Sequence, residues 1–434
     1  MSSLWLENTN LPMFLSLGKN IKTDVLIIGG GIAGILTGYM LKKAGVGCVI
    51  AESDRICHGT TGNTTAKITV LHGFIYDKMI KRFGREYARL YLKANMEALS
   101  EYRKMSESID CDFESSDAYV YSLDDKEKVL KEVKALKTLG LDARFDKAEK
   151  LPFKVAGAVK AENQAQFAPL KFLSHVCRDL EIYESTRVME LTPDGAVCNG
   201  GRIKADKIIV ATHFPFINKH GSYFLKMYQH RSYVIALENA PDLDGMYVDG
   251  CKTGMSFRNY GNLLLVGGAG QRTGKKCGGW EELSEFIHKN YPDAREVARW
   301  ATQDCMTLDG IPYIGQYSKQ TPNLYVATGF NKWGMTSSMV AAKLLTDIIL
   351  GKKNDYVSVF SPSRSIMRPQ LASNAAHAII NLLTPTVPRC PHVGCALKYN
   401  KHEHSWDCPC HGSRFDEDGK LLDNPSTQDK KLRR

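Results

Sequence analysis

Two short runs near the C-terminus carry the residues best suited to chemistry: Cys390-Pro-His392-Val-Gly-Cys395 and Cys408-Pro-Cys410-His411-Gly-Ser413. Cys390 and His392 form one pair, Cys408 and His411 the other, and residues 393–407 lie between them. Two thiolates and two imidazoles can hold a two-iron, two-sulfide centre, with the cysteines on one iron and the histidines on the other. The same atoms can hold a single zinc ion. A zinc site has no need of the additional Cys395 and Cys410, or of turns at Gly394 and Gly412. Iron and sulfide would bring one-electron chemistry to the chain.

The tail resembles the cluster-binding unit of Rieske proteins. That resemblance implies that Cys390, His392, Cys408 and His411 are the ligands of a 2Fe-2S cluster. It also implies that Cys395 and Cys410 form a disulfide between the two cluster loops. A zinc site and a plain disulfide knot are the competing readings. In high-potential Rieske proteins a serine and a tyrosine near the second loop donate hydrogen bonds to cluster sulfurs. Ser413 matches the serine, but Phe415 stands where the tyrosine hydroxyl would be. Fewer donors lower the reduction potential, because bonds to sulfur favour the reduced, more negative cluster. Only Pro388 to about Pro425 remains for this unit. A piece that small cannot bury a core of its own and must lean on the cluster, the disulfide and the rest of the protein.

The front of the chain must position something for such a centre to exchange electrons with. Residues 24–28, Asp-Val-Leu-Ile-Ile, read as a buried strand. Gly29-Gly-Gly31-Ile-Ala-Gly34 follows, then a helical stretch to Lys43 with Ile35, Leu36, Tyr39 and Met40 as its apolar residues. Gly45 ends it, and Cys48-Val-Ile-Ala forms a second strand closing on Glu52. Strand, Gly-x-Gly-x-x-Gly, helix, strand and acid in this order form a dinucleotide site. Gly29 allows the tight turn, Gly31 the approach of a pyrophosphate to the helix N-terminus, and Gly34 close packing of helix on sheet. Glu52 can accept bonds from ribose hydroxyls. None of this separates FAD from NAD.

Three later segments do. Residues 205–213 form a strand ending in Ala211-Thr212. Leu308-Asp309-Gly310-Ile-Pro312-Tyr-Ile-Gly315 precedes the strand Asn323–Gly329, which runs through Trp333-Gly334-Met335-Thr336 into a helix over about 336–350. From about residue 20 to 352 the chain resembles the glycine and D-amino-acid oxidase superfamily. The resemblance implies FAD, held by these segments, with the second helix N-terminus facing the pyrimidine end of the isoalloxazine, where its dipole stabilises the anionic reduced flavin. Between the two halves lies a run containing Thr60, Thr61, Thr64, Thr65 and Lys67. It reads as a loop over the cofactor, or more plainly as a polar surface turn. A very similar Thr-Thr-Gly-x-Thr-Thr-Ala-Lys run occurs in the subfamily that joins this oxidoreductase to a Rieske tail, so both ends of the chain point to one family. Leu263–Gly270 is a strand followed by glycines but by no immediate helix, and reads as a strand-end turn, not an NAD site.

The expected fold is α/β: a Rossmann-like FAD-binding domain (1–75, 150–219, 301–360) with an inserted α+β substrate or cap domain (76–149, 220–300). A helical connector (361–387) and a minimal Rieske-type β unit (388–434) complete it. Arg231 with Tyr233, and Arg258 with Tyr260, are candidate carboxylate ligands; the plainer reading is arginines on a solvated sheet face. His58, His72 and His213 lie near cofactor loops and read as packing or hydrogen-bonding histidines; Cys57, beside the phosphates, reads as a structural thiol, with a covalent tether to flavin as the alternative. No residue identifies itself as a general base. The connector helix, Leu371 to about Leu383, carries Ile379, Ile380, Leu382 and Leu383 and is expected to pack them on the FAD domain.

The composition, 43% apolar and 24% charged over 434 residues, is that of a globular protein. No apolar run reaches a membrane span, and no basic start followed by an apolar stretch marks a secretory signal, so the cytoplasm is expected. The cysteines outside the tail, Cys251 and Cys277 among them, read as reduced thiols. Part of the net charge of +10 sits in the terminal Lys430-Lys431-Leu-Arg433-Arg434, read as a frayed end, and no basic helix or aromatic pattern points to nucleic acid. The expected function is that of an FAD-dependent dehydrogenase. It would oxidise a small organic substrate, an amine or amino acid, and pass electrons through the cluster to an acceptor protein or quinone. The alternatives are an FAD oxidase with a structural or redox-sensing tail, and a zinc-stapled flavin-binding protein without turnover.

Overall fold

A computed structural model describes residues 2–217, 220–250, 254–275, 278–385 and 388–430. Cys251, Cys277 and the basic end from Lys431 onward lie outside the described residues.

The first sheet is built on the strand Ile21–Ile28. It pairs in parallel with Cys48–Ala51 on one side and Gly201–Val210 on the other. Glu181–Tyr183 and Leu324–Thr328 extend it in parallel, and Tyr313–Gln316 closes one edge antiparallel. Parallel neighbours need crossovers, and the helix Ile32–Lys43 supplies the first. That helix packs against the helix Gly334–Ile349. Val25, Leu26, Ile27 and Ile28 are all buried, as a strand covered on both faces requires.

The second sheet runs in the order Arg295–Thr307, Met227–Glu238, Leu263–Arg272, Ser256–Tyr260, Met246–Asp249, Glu114–Ser122, Gly157–Gln166, Lys67–Ile68. The expected domain boundaries shift here. Residues 150–219 were assigned to the nucleotide half, yet Gly157–Gln166 pairs antiparallel with Glu114–Ser122 along its length. Arg295–Thr307 crosses the expected boundary at 300 because it pairs from end to end with Met227–Glu238. Ladder pairing over whole strands joins residues on both sides of those boundaries into one sheet.

The third sheet is the cluster unit: Lys398–Asn400, Ser405–Asp407, Arg414–Phe415 and Leu421–Asp423. Its core is only Cys390, Cys395, Leu397, Cys408, Cys410 and Phe415. The connector helix Pro369–Leu383 departs from expectation. Ile379, Ile380 and Leu383 are 56%, 61% and 77% exposed, and the residues it buries are Asn374 and Asn381. The helix docks through polar groups. Asn374 accepts from Arg272 and donates to the Leu225 carbonyl, and the Asn381 carbonyl accepts from the Ala396 amide. Periodicity marks an apolar stripe but not the side from which the protein approaches it. Among the described residues no helix is long and apolar enough to cross a membrane.

Candidate active site and cluster centre

A cavity of about 650 Å³ lies between the two large sheets. Gly29, Gly31 and Glu52 line one end, Thr60, Thr61, Thr64, Thr65 and Lys67 one side, and Ala211 and Thr212 the end of a central strand. Gly329, Trp333, Gly334 and Met335 bring the second helix N-terminus to the same space. Gly34, Gly310 and Thr336 do not line it. A Cβ at Gly34 would overlap the Gly29 carbonyl oxygen, so this glycine sets the approach of helix to strand. Gly310, at φ +77°, turns the chain beside Asp309, whose carboxylate pairs with Arg364 at 2.9 Å. The Thr336 hydroxyl lies 3.1 Å from His72 Nε2.

The threonine-rich loop is pinned from several directions. Trp5 Nε1 donates to the Thr64 carbonyl, Trp300 Nε1 to that of Asn63, and the Thr60 hydroxyl to that of Gln303. The Thr61 hydroxyl accepts from the Ile32 amide at 3.0 Å, and the helix Ile32–Lys43 has no side-chain cap. Arg258 is fully buried and clamps the same loop, donating to the Thr65 and Ala66 carbonyls at 3.0 and 2.9 Å. Tyr260 donates to Asp112. Arg258 is therefore neither a carboxylate grip nor on a solvated face. Burial lowers Lys67 to about 7, and the charge of Arg258 adds to this.

His72 is a packing histidine: buried, hydrogen-bonded to Tyr91 and stacked on Trp333 at 4.9 Å, with burial pushing it down to about 3. His213 lines the cavity at φ +63°, and its Nε2 is buried with no hydrogen-bond partner among the described residues. Cys57 also lines the cavity, and burial raises its thiol well above the ordinary value.

Residues that sequence reasoning passed over complete the cavity. Strand register sets Ser232 opposite Thr302, both on the cavity, and Asp304, a further lining residue, opposite His230, which does not line it. Lys332, at φ +73° after Asn331 at φ +51°, extends into the same space and donates to the Ser232 hydroxyl at 3.2 Å. Two consecutive non-glycine residues in the left-handed region hold strain of the kind found at functional sites. Burial raises the Asp304 carboxyl, with Lys332 opposing.

The two cluster loops match in form. The Cys390 amide donates to the Cys395 carbonyl and the Gly394 amide to that of Cys390; Cys408 pairs with Ser413, and Gly412 with Cys408, in the same way. Gly394 and Gly412 both take φ +84°. The His392 and His411 rings stand 4.9 Å apart at 86°. His411 is buried against Phe214 and Phe224, and its Nδ1 has no hydrogen-bond partner among the described residues. Cys390 and Cys408 are buried, and the contact between the two thiols pulls the Cys390 thiol down while that of Cys408 rises. Cys395 and Cys410 are disulfide-bonded, with Cα atoms 6.7 Å apart. The Cys395, Cys408 and Cys410 sulfurs lie within 4.8 Å of one another, but the disulfide removes two of them as thiolate ligands. Two converging thiols and an orphaned buried imidazole nitrogen fit a 2Fe-2S cluster.

The unit is bolted to the second sheet. Gln229 Nε2 donates to the His411 carbonyl, Gln303 Nε2 to that of Gly412, and Arg272 to those of Pro409 and Cys410. Arg231 makes a two-toothed ion pair with Glu403 of the unit, so it also is neither solvated nor free for substrate.

Residues 24–348 match the family model of FAD dependent oxidoreductases, and residues 383–432 that of the Rieske [2Fe-2S] domain. The chain belongs to the FAD dependent oxidoreductase family. It is 34% identical to the Rieske 2Fe-2S iron-sulfur protein YhfW of Bacillus subtilis (strain 168), covering 97% of this chain and 95% of that protein. It is 23% identical to gamma-glutamylputrescine oxidoreductase of Escherichia coli (strain K12), over 84% of this chain and 94% of the relative. Glycine oxidase from Geobacillus kaustophilus has the same fold, with a TM-score of 0.68 at 20% identity over 79% of this chain and 99% of that one. This FAD oxidoreductase therefore binds FAD in its large domain and a 2Fe-2S cluster in its tail.

Phe415 is fully buried in the small core of the cluster unit. Phe415→Tyr is expected to raise the cluster potential. A hydrogen bond contributing about 1 kcal/mol corresponds to roughly 40 mV for a one-electron couple. A redox titration with no change would show that the hydroxyl does not reach the cluster.

Proposed function

We propose that this FAD oxidoreductase is a dehydrogenase of a small amine or amino acid. Electrons leave its flavin one at a time through the Rieske cluster to an external protein or quinone in the cytoplasm. The observation that carries this reading is the seating of the cluster unit against the flavin cavity, which Lys420, Asp423, Asn424 and Thr427 line together with Gly29 and Thr212. The kinship to an oxidoreductase of gamma-glutamylputrescine and the shared fold with glycine oxidase support the substrate class. Bound FAD accepts an electron pair from substrate and releases single electrons.

The chain's own residues do the rest. Gly29 and Gly31 leave room for the pyrophosphate, Glu52 orients the ribose, and the loop Thr60–Lys67 covers the cofactor. Ala211 and Thr212 with Gly329–Thr336 hold the ring end, and Gly34 and Gly310 shape the backbone behind it. Cys390 and Cys408 hold one iron, His392 and His411 the other, and the Cys395–Cys410 disulfide ties the loops. Anaerobic stopped-flow mixing with a panel of amines and amino acids tests the relay. Flavin bleaching is expected first, followed by the Rieske paramagnetic signal. A cluster that stays oxidised while the flavin is reduced overturns the relay and leaves an oxidase with a structural tail, which oxygen uptake with peroxide release would then register.

A further inference from the structure

We infer that the cluster unit is itself a wall of the FAD site, so that cluster and FAD strengthen each other's binding through the segment 420–427. Lys420, Asp423, Asn424 and Thr427 line the same cavity as Gly29, Glu52 and Thr212. The amide of Asn424 donates to the Thr212 carbonyl at 2.6 Å and to the Phe214 carbonyl at 2.8 Å. These carbonyls close the strand end that forms the cavity floor. Arg187, another cavity residue, donates to the Thr427 carbonyl.

The same segment is tied to the cluster loops. The Ser426 amide donates to the Ser413 hydroxyl at 2.9 Å, within the second loop. Arg414, next in the chain to Ser413, pairs with Asp423 at 3.0 Å. Gln229 reaches both sides at once, donating to the His411 carbonyl at 3.1 Å and to the Asn424 carbonyl at 2.9 Å. A side chain at Gly412 would strike Gln229, so the loop and this bridge fit without slack.

A unit with so small a core leans on the metal, the Cys395–Cys410 disulfide and its bonds to the sheet. Removal of the cluster takes away the metal tie at the loops 390–395 and 408–413, leaves the disulfide, and through Ser413, Arg414 and Gln229 loosens the wall they brace. Binding at two sites that order one element is coupled, and the coupling is reciprocal. The element here is local and has named contacts. It requires no electron transfer and no substrate, so it stands or falls apart from the relay.

The test is FAD titration of the full-length apoprotein, read by quenching of flavin fluorescence, with and without a reconstituted cluster. The FAD dissociation constant is expected to rise by about tenfold when the cluster is absent, within the ordinary range of coupling between sites. Asn424→Ala, with its cluster signal intact, is expected to weaken FAD several-fold. In the unmutated protein, loss of iron to a chelator is expected to slow by a similar factor once FAD is bound. Equal FAD affinity within twofold with and without the cluster, together with chelation rates indifferent to FAD, overturns the inference. Because the chelation arm uses no variant, a misfolded mutant cannot decide the outcome.

Discussion

Gly34→Ala is expected to yield protein that purifies without FAD. The new methyl group would overlap the Gly29 carbonyl oxygen, a backbone atom that no rotamer change can move aside. The helix Ile32–Lys43 must then lift from the strand Ile21–Ile28, carrying Gly31 and the helix N-terminus away from the cavity end. Overpacking of this kind costs about 3 kcal/mol, or roughly a hundredfold in FAD affinity if it falls on the cofactor site. Gly38→Ala in the same helix is the control. There the methyl meets only the side-chain tips of Ile50, Ile27 and Leu180, at 3.1 to 3.5 Å, and flavin content is expected to stay normal. The flavin absorbance of purified protein, followed by FAD titration, reads both. Normal flavin content in Gly34→Ala would show that the helix–strand contact does not set the phosphate site.

Replacement of Arg414 by leucine is expected to abolish cluster binding without touching a ligand. The guanidinium is 6% exposed and sits among Asp407 at 3.0 Å, Asp423 at 3.0 Å and Glu403 at 3.2 Å, with the Ser405 hydroxyl also accepting from it. Its loss leaves the Asp407 carboxylate, 2% exposed, without a counter-charge. Breaking a buried pair from one side costs about 3–5 kcal/mol, which a core this small has little means to offset. The Rieske signal of Arg414→Leu is expected to be near zero, and Asp407→Asn in the same chain is expected to restore part of it. Full cluster content in the single variant would refute this account.

The same network predicts acid lability. Burial pushes the Glu403 carboxyl upward, but Arg231 and Arg414 outweigh it and hold the group at about 2, against an ordinary 4.5. A carboxyl depressed on folding contributes stability that is fully present above its unfolded value and lost as pH falls through its folded value. At 1.36 kcal/mol per pH unit this amounts to about 3 kcal/mol, lost between roughly pH 5 and pH 2. Glu403→Gln is expected to flatten the slope of cluster release over that window. The ligand histidines contribute alike to both proteins and cancel in the comparison.

Chemistry carried by near neighbours in the chain was legible before any fold was known. The Gly29-to-Gly34 run and the Cys–His pairs each act over a few residues, where backbone geometry ties position to spacing. Side chains that meet across sheets were not legible in this way. Arg231 finds Glu403 over a separation of 172 residues, and Arg258 finds the Ala66 carbonyl over 192. Both read as candidate carboxylate ligands or, more plainly, as arginines on a solvated face, because an arginine declares its charge but not its partner. Asp304 and Lys332 entered the cavity by strand register and by a strained turn, and no motif marks either. In the connector, Ile379, Ile380 and Leu383 were assigned inward on hydrophobicity alone, whereas the docking of Asn374 and Asn381 turned that face to solvent.

Spacing along the chain thus marked out a set of metal ligands and a dinucleotide turn, because both are local objects, while resemblance to a family chose iron-sulfur over zinc and FAD over NAD. Tertiary structure alone decided that the two centres share a wall, through Asn424 and Gln229. That arrangement depends on how three sheets pack, and packing is settled by contacts between residues far apart in sequence.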